Sequence, residues 1–289
     1  MDRKLGVNTW IWTSPLNDDS LAELCAHAAS LGFDAIELPL ETPGDWDAAA
    51  AREVLADYRL TPVVIGAMAP GRNLIAASPG EIDSTGDYLR ACIDAADAVG
   101  ATTVAGPFYA ATGRTWRMGE AERQAAYLQL RSHLAPLAEH AADRGICLAI
   151  EPLNRYETSL INTVDQALDA LEPLLGPGLG LTLDSYHLNI EEQDIAAAVA
   201  RATGHIAHVQ VSGNDRGAVG ADHFDWLGFL HALDLAGYAG PLCLESFTAH
   251  NASIAVAASI WRPLASTQDA LAADSLGYLR NLQTGGTRP

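Results

Sequence analysis

A single lysine, Lys4, occurs in the 289 residues. Covalent catalysis through a lysine imine would have to use a side chain at the very start of the first strand-like stretch, and a phosphate-cradling G-x-x-x-x-G-K-[ST] loop is excluded. There is no G-x-S-x-G, so the nucleophile elbow of the hydrolases is absent as well. Cysteine is scarce: Cys25, Cys92, Cys147 and Cys243 are scattered through apolar surroundings with no C-x-x-C pair, which predicts reduced, buried thiols in place of a disulfide framework or a zinc knuckle. Positive charge is scarce too. Seventeen Lys and Arg face 36 Asp and Glu, a net charge of −19, and such a surface repels phosphate backbones and anionic lipid. No nucleic-acid partner and no membrane partner are expected. Hydrophobic residues make up 49% of the chain, yet no apolar run reaches membrane-spanning length. The start, MDRKLGVNTW, runs from charged residues into a strand-like stretch without the apolar core of a secretory signal, so the expected location is cytoplasmic.

What the sequence has is alternation on a large scale. Strand-like runs fall at residues 5–10, 35–38, 61–68, 102–106, 147–152, 179–184, 205–212 and 241–246. Between them lie segments such as SLAELCAHAASLG and NTVDQALDALEPLLG, apolar at i, i+3 and i+4, with Gly32, Gly100 and Gly145 as helix-stopping residues. Eight βα units without a Pro-, Gly- and Ser-rich linker predict one (β/α)₈ TIM barrel over residues 1–289, with the doubly wound sheet as the competing arrangement. The glycine-rich GPGLGL at 176–181 precedes a strand instead of joining strand to helix, which excludes a dinucleotide fingerprint.

In a barrel of this kind chemistry sits at the C-terminal ends of the strands. The polar residues there are Glu37, Glu151, Asp184, His208, Gln210 and Glu245. Strand alternation puts Leu148 and Ile150 on the outer face and Cys147, Ala149 and Glu151 on the inner one. The same rule sends Thr182 and Asp184, His208 and Gln210, and Cys243 and Glu245 inward. Three carboxylates aimed at one axis need a counter-charge. Salt bridges to Arg155 and Arg216 would be one source. A divalent cation is the other, and an oxygen-rich set suits a hard ion, Mn²⁺ first, with Mg²⁺ or Co²⁺ as alternatives.

At these residues the sequence resembles the xylose isomerase-like barrels, and within them the tagatose/psicose (allulose) 3-epimerase group of ketose epimerases. The resemblance is carried by GVNTWIWTSP at the start, EPLNRYET (151–158), TLDSYHLNIEE (182–192), NDRG (214–217) and GYAGPLCLESF (237–247), and it runs nearly the length of the chain. It implies a metal held by Glu151, Asp184, position 210 and Glu245, with a histidine expected at 210 where this chain has Gln210. The hydroxypyruvate isomerases, which resemble the same site, carry glutamine there, so Gln210 is expected to serve as a neutral oxygen ligand. The resemblance further implies proton transfer by Glu151 and Glu245, and substrate binding by Glu157, His187 and Arg216. It also suggests a homodimer or homotetramer. Trp12, Trp116 and Phe247 are candidates either for apolar walls for a sugar or for core packing, and Gly106 either leaves room beside the sugar or only ends its strand. The implied function is metal-dependent ketose 3-epimerisation of a free ketose through a cis-enediolate. An aldose-ketose or hydroxypyruvate-type isomerase on the same site is the alternative, and a non-catalytic sugar-binding protein a more distant one. A barrel endonuclease of DNA repair would need more site histidines and a basic surface.

Overall fold

A computed structural model describes residues 2–285. Eight parallel strands close into a barrel in sequence order: β1 (Leu5–Asn8), β2 (Ala35–Leu40), β3 (Thr61–Gly66), β4 (Thr103–Gly106), β5 (Cys147–Ile150), β6 (Leu179–Asp184), β7 (Ile206–Val211) and β8 (Leu242–Leu244). The helices between them are α1 (Asp18–Leu31), α2 (Ala48–Tyr58), α3 (Pro79–Val99), α4 (Glu120–Ala142), α5 (Val164–Leu171), the pair α6 (Ser185–Glu191) and α7 (Ile195–Arg201), and α8 (Trp226–Leu235); α9 (Ala252–Ala257) and α10 (Gln268–Gln283) follow β8. The barrel is therefore the (β/α)₈ fold that the alternation predicts.

Local chemistry sets the helix ends. Asn17, Asp47, Ser78, Thr163, Asp225 and Thr267 each accept from a backbone N–H in the first turn, contributing about 1 kcal/mol apiece. Gly32 and Gly100 close α1 and α3 in the left-handed conformation. Gly145 is also left-handed but lies three residues beyond the end of α4, where Asp143 forms the cap. The apolar outer faces of the strands and the inner faces of the helices form one continuous core. A smaller cluster of Val63, Ile65, Ala105 and Ala149 fills the barrel's interior. The four thiols are free, three buried and Cys147 partly so. Among the described residues no helix is long and apolar enough to cross a membrane.

Two departures from the strand reading bear on the site. The run at 5–10 leaves the sheet at Asn8, whose side-chain oxygen accepts from the Trp10 N–H at 2.8 Å and turns the chain into a 3₁₀ turn, Thr9–Ile11. Trp10 and Trp12 therefore do not continue the alternation of β1. In β7, Ile206 pairs with Leu181 and His208 with Thr182, so Ala207 is an extra residue. This bulge brings His208 and Gln210 level with Thr182 and Asp184.

Candidate active site

Glu151, Asp184, Gln210 and Glu245 converge at the C-terminal mouth, each at most 6% exposed. Arg216 joins them from the turn after β7. That turn is closed by the Arg216 N–H donating to the Gly213 carbonyl at 2.9 Å, and Arg216 adopts φ 66°, a left-handed conformation unusual for a non-glycine residue. The backbone strain is held by its setting: the Arg216 carbonyl accepts from Phe247 N–H at 2.8 Å, and the guanidinium lies over the Tyr186 and Phe247 rings at 4.2 and 5.3 Å. From there Arg216 donates to Asp184 and lies 3.1 Å from Glu245 Oε2. One of the two arginine pairings considered from sequence is thus present. Arg155 instead pairs with Glu191 at the surface, at 2.9 Å.

Three carboxylates against one guanidinium leave two formal negative charges without compensation. Burial raises the carboxyl of Glu151 well above the ordinary range, and Glu245 and Asp184 raise it further. Burial does the same to Glu245, with Arg216 pulling in the opposite direction. Asp184 is raised by burial despite Arg216. One oxygen of Glu151, Oε1, is buried without a hydrogen-bond partner, an expensive condition for a carboxylate. An oxygen each of Glu151 and Asp184 and a ring nitrogen of His187 lie within 4.8 Å of one another. A divalent cation fits this place: it would satisfy the orphaned oxygen and cancel the two surplus charges.

His187 faces the same point. Its Nδ1 accepts from the Asn154 backbone N–H at 3.0 Å, and its Nε2 lies 3.0 Å from Arg216 Nη2 and 3.5 Å from Glu151 Oε1. Burial first and Arg216 second depress its basicity, so the ring is neutral. Asn154 also donates to Glu157 Oε1 at 2.7 Å. The asparagine of EPLNRYE is therefore the joint between Glu157 and His187, a role not read from the sequence; the E-P-L-N-R-Y-E motif itself was the available signal.

The predicted walls separate. Phe247 is buried beside Arg216 and packs with Ile254, Ala255 and Ile260. Trp12 is turned toward the helical shell, its indole N–H donating to Asp269 at 2.8 Å and its edge on His27. Trp10 packs against both the interior cluster and the Phe247 cluster; regular alternation from Asn8 would aim both indoles inward, and the 3₁₀ turn takes Trp12 out. Trp116 lines a cavity of about 310 Å³ with Met118 and Gln129, and its loop is tied to the Glu157 loop by Gly113 N–H donating to the Glu157 carbonyl at 2.7 Å. Gly106, at φ 154°, has no room for a side chain: a Cβ there would sit 2.6 Å from the Gly66 carbonyl oxygen and 2.7 Å from the Phe108 ring. Gly106→Ala is expected to cost about 1–3 kcal/mol of stability in a denaturant melt.

Beneath the carboxylates lies a layer that the sequence reading left without a role. Glu37, fully buried on β2, accepts from Asn8 Nδ2 at 2.6 Å and Gln210 Nε2 at 3.0 Å, and pairs with His208 Nε2 at 2.6 Å. Gln210 Nε2 also donates to Glu245 Oε1 at 3.0 Å.

Residues 25–282 match the family of xylose isomerase-like TIM barrels, and the chain belongs to that family. It is 29% identical over 283 residues to a ketose 3-epimerase of Arthrobacter globiformis, covering 97% of each chain. To a probable ketose 3-epimerase of Synechocystis sp. it is 30% identical over 279 residues, 96% of each. Among solved structures, D-allulose 3-epimerase from Methylomonas sp. in complex with D-allulose superposes with a TM-score of 0.86 at 28% identity over 96% of both chains. An L-ribulose 3-epimerase gives 0.88 at 26% identity over 99% of both. The chain is an enzyme of the isomerase class, a carbohydrate epimerase.

Proposed function

We propose that this enzyme is a metal-dependent ketose 3-epimerase that acts on a free ketose through a cis-enediolate, with Glu151 and Glu245 as the two proton-transfer groups. The observation that carries the proposal is the pair itself: two buried glutamates at the ends of β5 and β8, both with carboxyls that burial raises above the ordinary range, which suits groups that must accept as well as release a proton. Epimerisation needs a proton taken from C3 on one face and returned on the other, and residues three strands apart flank a substrate lying between them.

Glu151, Asp184, Gln210 and Glu245 would hold the cation, Mn²⁺ by our reading, since all four offer oxygen. A cation held by these residues would supply Lewis-acid polarisation of a substrate carbonyl. Arg216 and neutral His187 bind the oxygens at C1 and C2 where negative charge gathers. Glu157, steered by Asn154, takes the C1 hydroxyl. Phe247 and Trp10 exclude water from the reacting carbons, while Trp12 is turned away to Asp269. Arg216 is engaged by Asp184 and Glu245, which favours an unphosphorylated sugar.

The test is to strip the protein with chelator, restore Mn²⁺, Mg²⁺ or Co²⁺, and incubate with fructose, tagatose, ribulose, xylulose and hydroxypyruvate in D₂O. Metal-dependent deuterium at C3 in a C3-inverted ketose is the expected NMR result. The glutamine at 210 favours a second reading, aldose-ketose isomerisation. Deuterium at C1 or C2 in an aldose would establish that reading and overturn the epimerase.

A further inference from the structure

The carboxamide of Gln210 has two ends of opposite character on one freely turning bond. One end attracts a cation and the other repels it. A histidine ligand has no such ambiguity, because either ring nitrogen can present a lone pair. In this chain the ambiguity is resolved by neighbours. Gln210 Nε2 lies 3.0 Å from Glu37 Oε2 and 3.0 Å from Glu245 Oε1, and turning the amide over would press its carbonyl oxygen against both carboxylates. The nitrogen is thereby assigned, and Oε1 accepts no hydrogen bond among the described residues.

The two clamps are not equivalent. Glu245 belongs to the proposed ligand set and the proton-transfer pair, and Arg216 also engages it at 3.1 Å. Glu37 stands outside that pair. It is fully buried, it is fixed from below by Asn8 and His208, both at 2.6 Å, and its backbone is locked between Asn8 of β1 and Val63 of β3.

We infer that Glu37 is a positioning residue for the metal site: it holds Gln210 by the amide nitrogen and so keeps the carboxamide oxygen as the end offered to the cation. The inference rests on the reading of Gln210 as a ligand. Partners behind the ligands commonly set metal affinity by about 10–100-fold, and Glu37 fills that place on β2, a strand that contributes no residue to the proposed ligand set.

The experiment measures Mn²⁺ affinity directly, from the EPR signal of the free aqua ion, in wild type, Glu37→Gln, Gln210→Leu and the double variant. Glu37→Gln is expected to weaken binding about 10–100-fold. In the Gln210→Leu background the same change should make no further difference. Unaltered affinity in Glu37→Gln, or an equal loss in both backgrounds, overturns the inference while leaving Gln210 as a ligand if Gln210→Leu is itself weakened. Wild-type affinity in Gln210→Leu overturns the ligand reading and the inference with it. Folding of each apo variant is checked by circular dichroism. Should Glu37→Gln not fold, Glu37→Asp serves: it keeps the charge but withdraws the oxygens from Gln210, so weakened binding supports the positioning role and wild-type binding overturns it.

Discussion

Glu245→Gln, assayed at saturating Mn²⁺, should lower kcat for epimerisation by about 10²–10⁴-fold without abolishing every exchange at C3. The two-glutamate arrangement makes a sharper demand than a simple loss. Glutamine at 245 keeps the shape and the oxygen but cannot carry a proton, so only Glu151 remains to work, on one face of the sugar. One C3 epimer should still exchange its C3 hydrogen with D₂O, slowly and without inversion, while the other should not. Glu151→Gln should reverse the preference. NMR of each epimer incubated separately reads the outcome. Equal loss of exchange for both epimers in both variants would mean that the glutamates only hold the cation. Inversion persisting in either variant would mean that a third group carries the proton.

Arg216→Met is expected to destabilise the metal-free protein by about 3–5 kcal/mol, the scale for removing one partner of a buried charge cluster. Arg216 is 6% exposed, and its guanidinium is held by Asp184 and Glu245. Its own pKa, which burial lowers, is raised overall by the carboxylates of Asp184, Glu245, Glu157 and Glu151. The pH dependence has a definite sign. These carboxyls are already raised, and without the arginine they rise further. A carboxyl raised in the folded state contributes its stability at low pH and loses it as pH climbs through the folded value. The deficit of the variant should therefore grow from pH 6 to pH 8. Mn²⁺ should recover part of it by replacing the lost positive charge. Thermal melts at both pH values, with and without Mn²⁺, test this. A deficit indifferent to pH and metal would mean that Arg216 acts through its stacking on Tyr186 and Phe247 alone.

Much of this site could be read before any fold was known, because a strand's period of two is rigid wherever the strand is regular. Glu151 and Asp184 lie at the ends of β5 and β6, and alternation along CLAIE and LTLD aims them inward with no knowledge of neighbours. Where the backbone departs from that period, the reading loses its hold. The 3₁₀ turn at Thr9–Ile11, started by the Asn8 side chain, leaves Trp10 with the interior cluster but carries Trp12 away from it to α1 and α10. The Ala207 bulge sets Gln210 beside Asp184, a placement that regular pairing from Leu181 would not give.

The sequence by itself determined the eight-fold alternation, the exclusion of lysine, nucleotide-loop and disulfide chemistry, and the inward carboxylates, since these depend on residue type and local period. Only the tertiary structure decided that Arg216 spends its charge on Asp184 and Glu245, that Asn154 joins Glu157 to His187, and that Glu37 reaches across the barrel to Gln210. Arg216 lies 32 and 29 residues from its two partners, Asn154 33 from His187, and Glu37 173 from Gln210. Closure of the barrel, and no local preference, brings such distant residues within hydrogen-bonding distance.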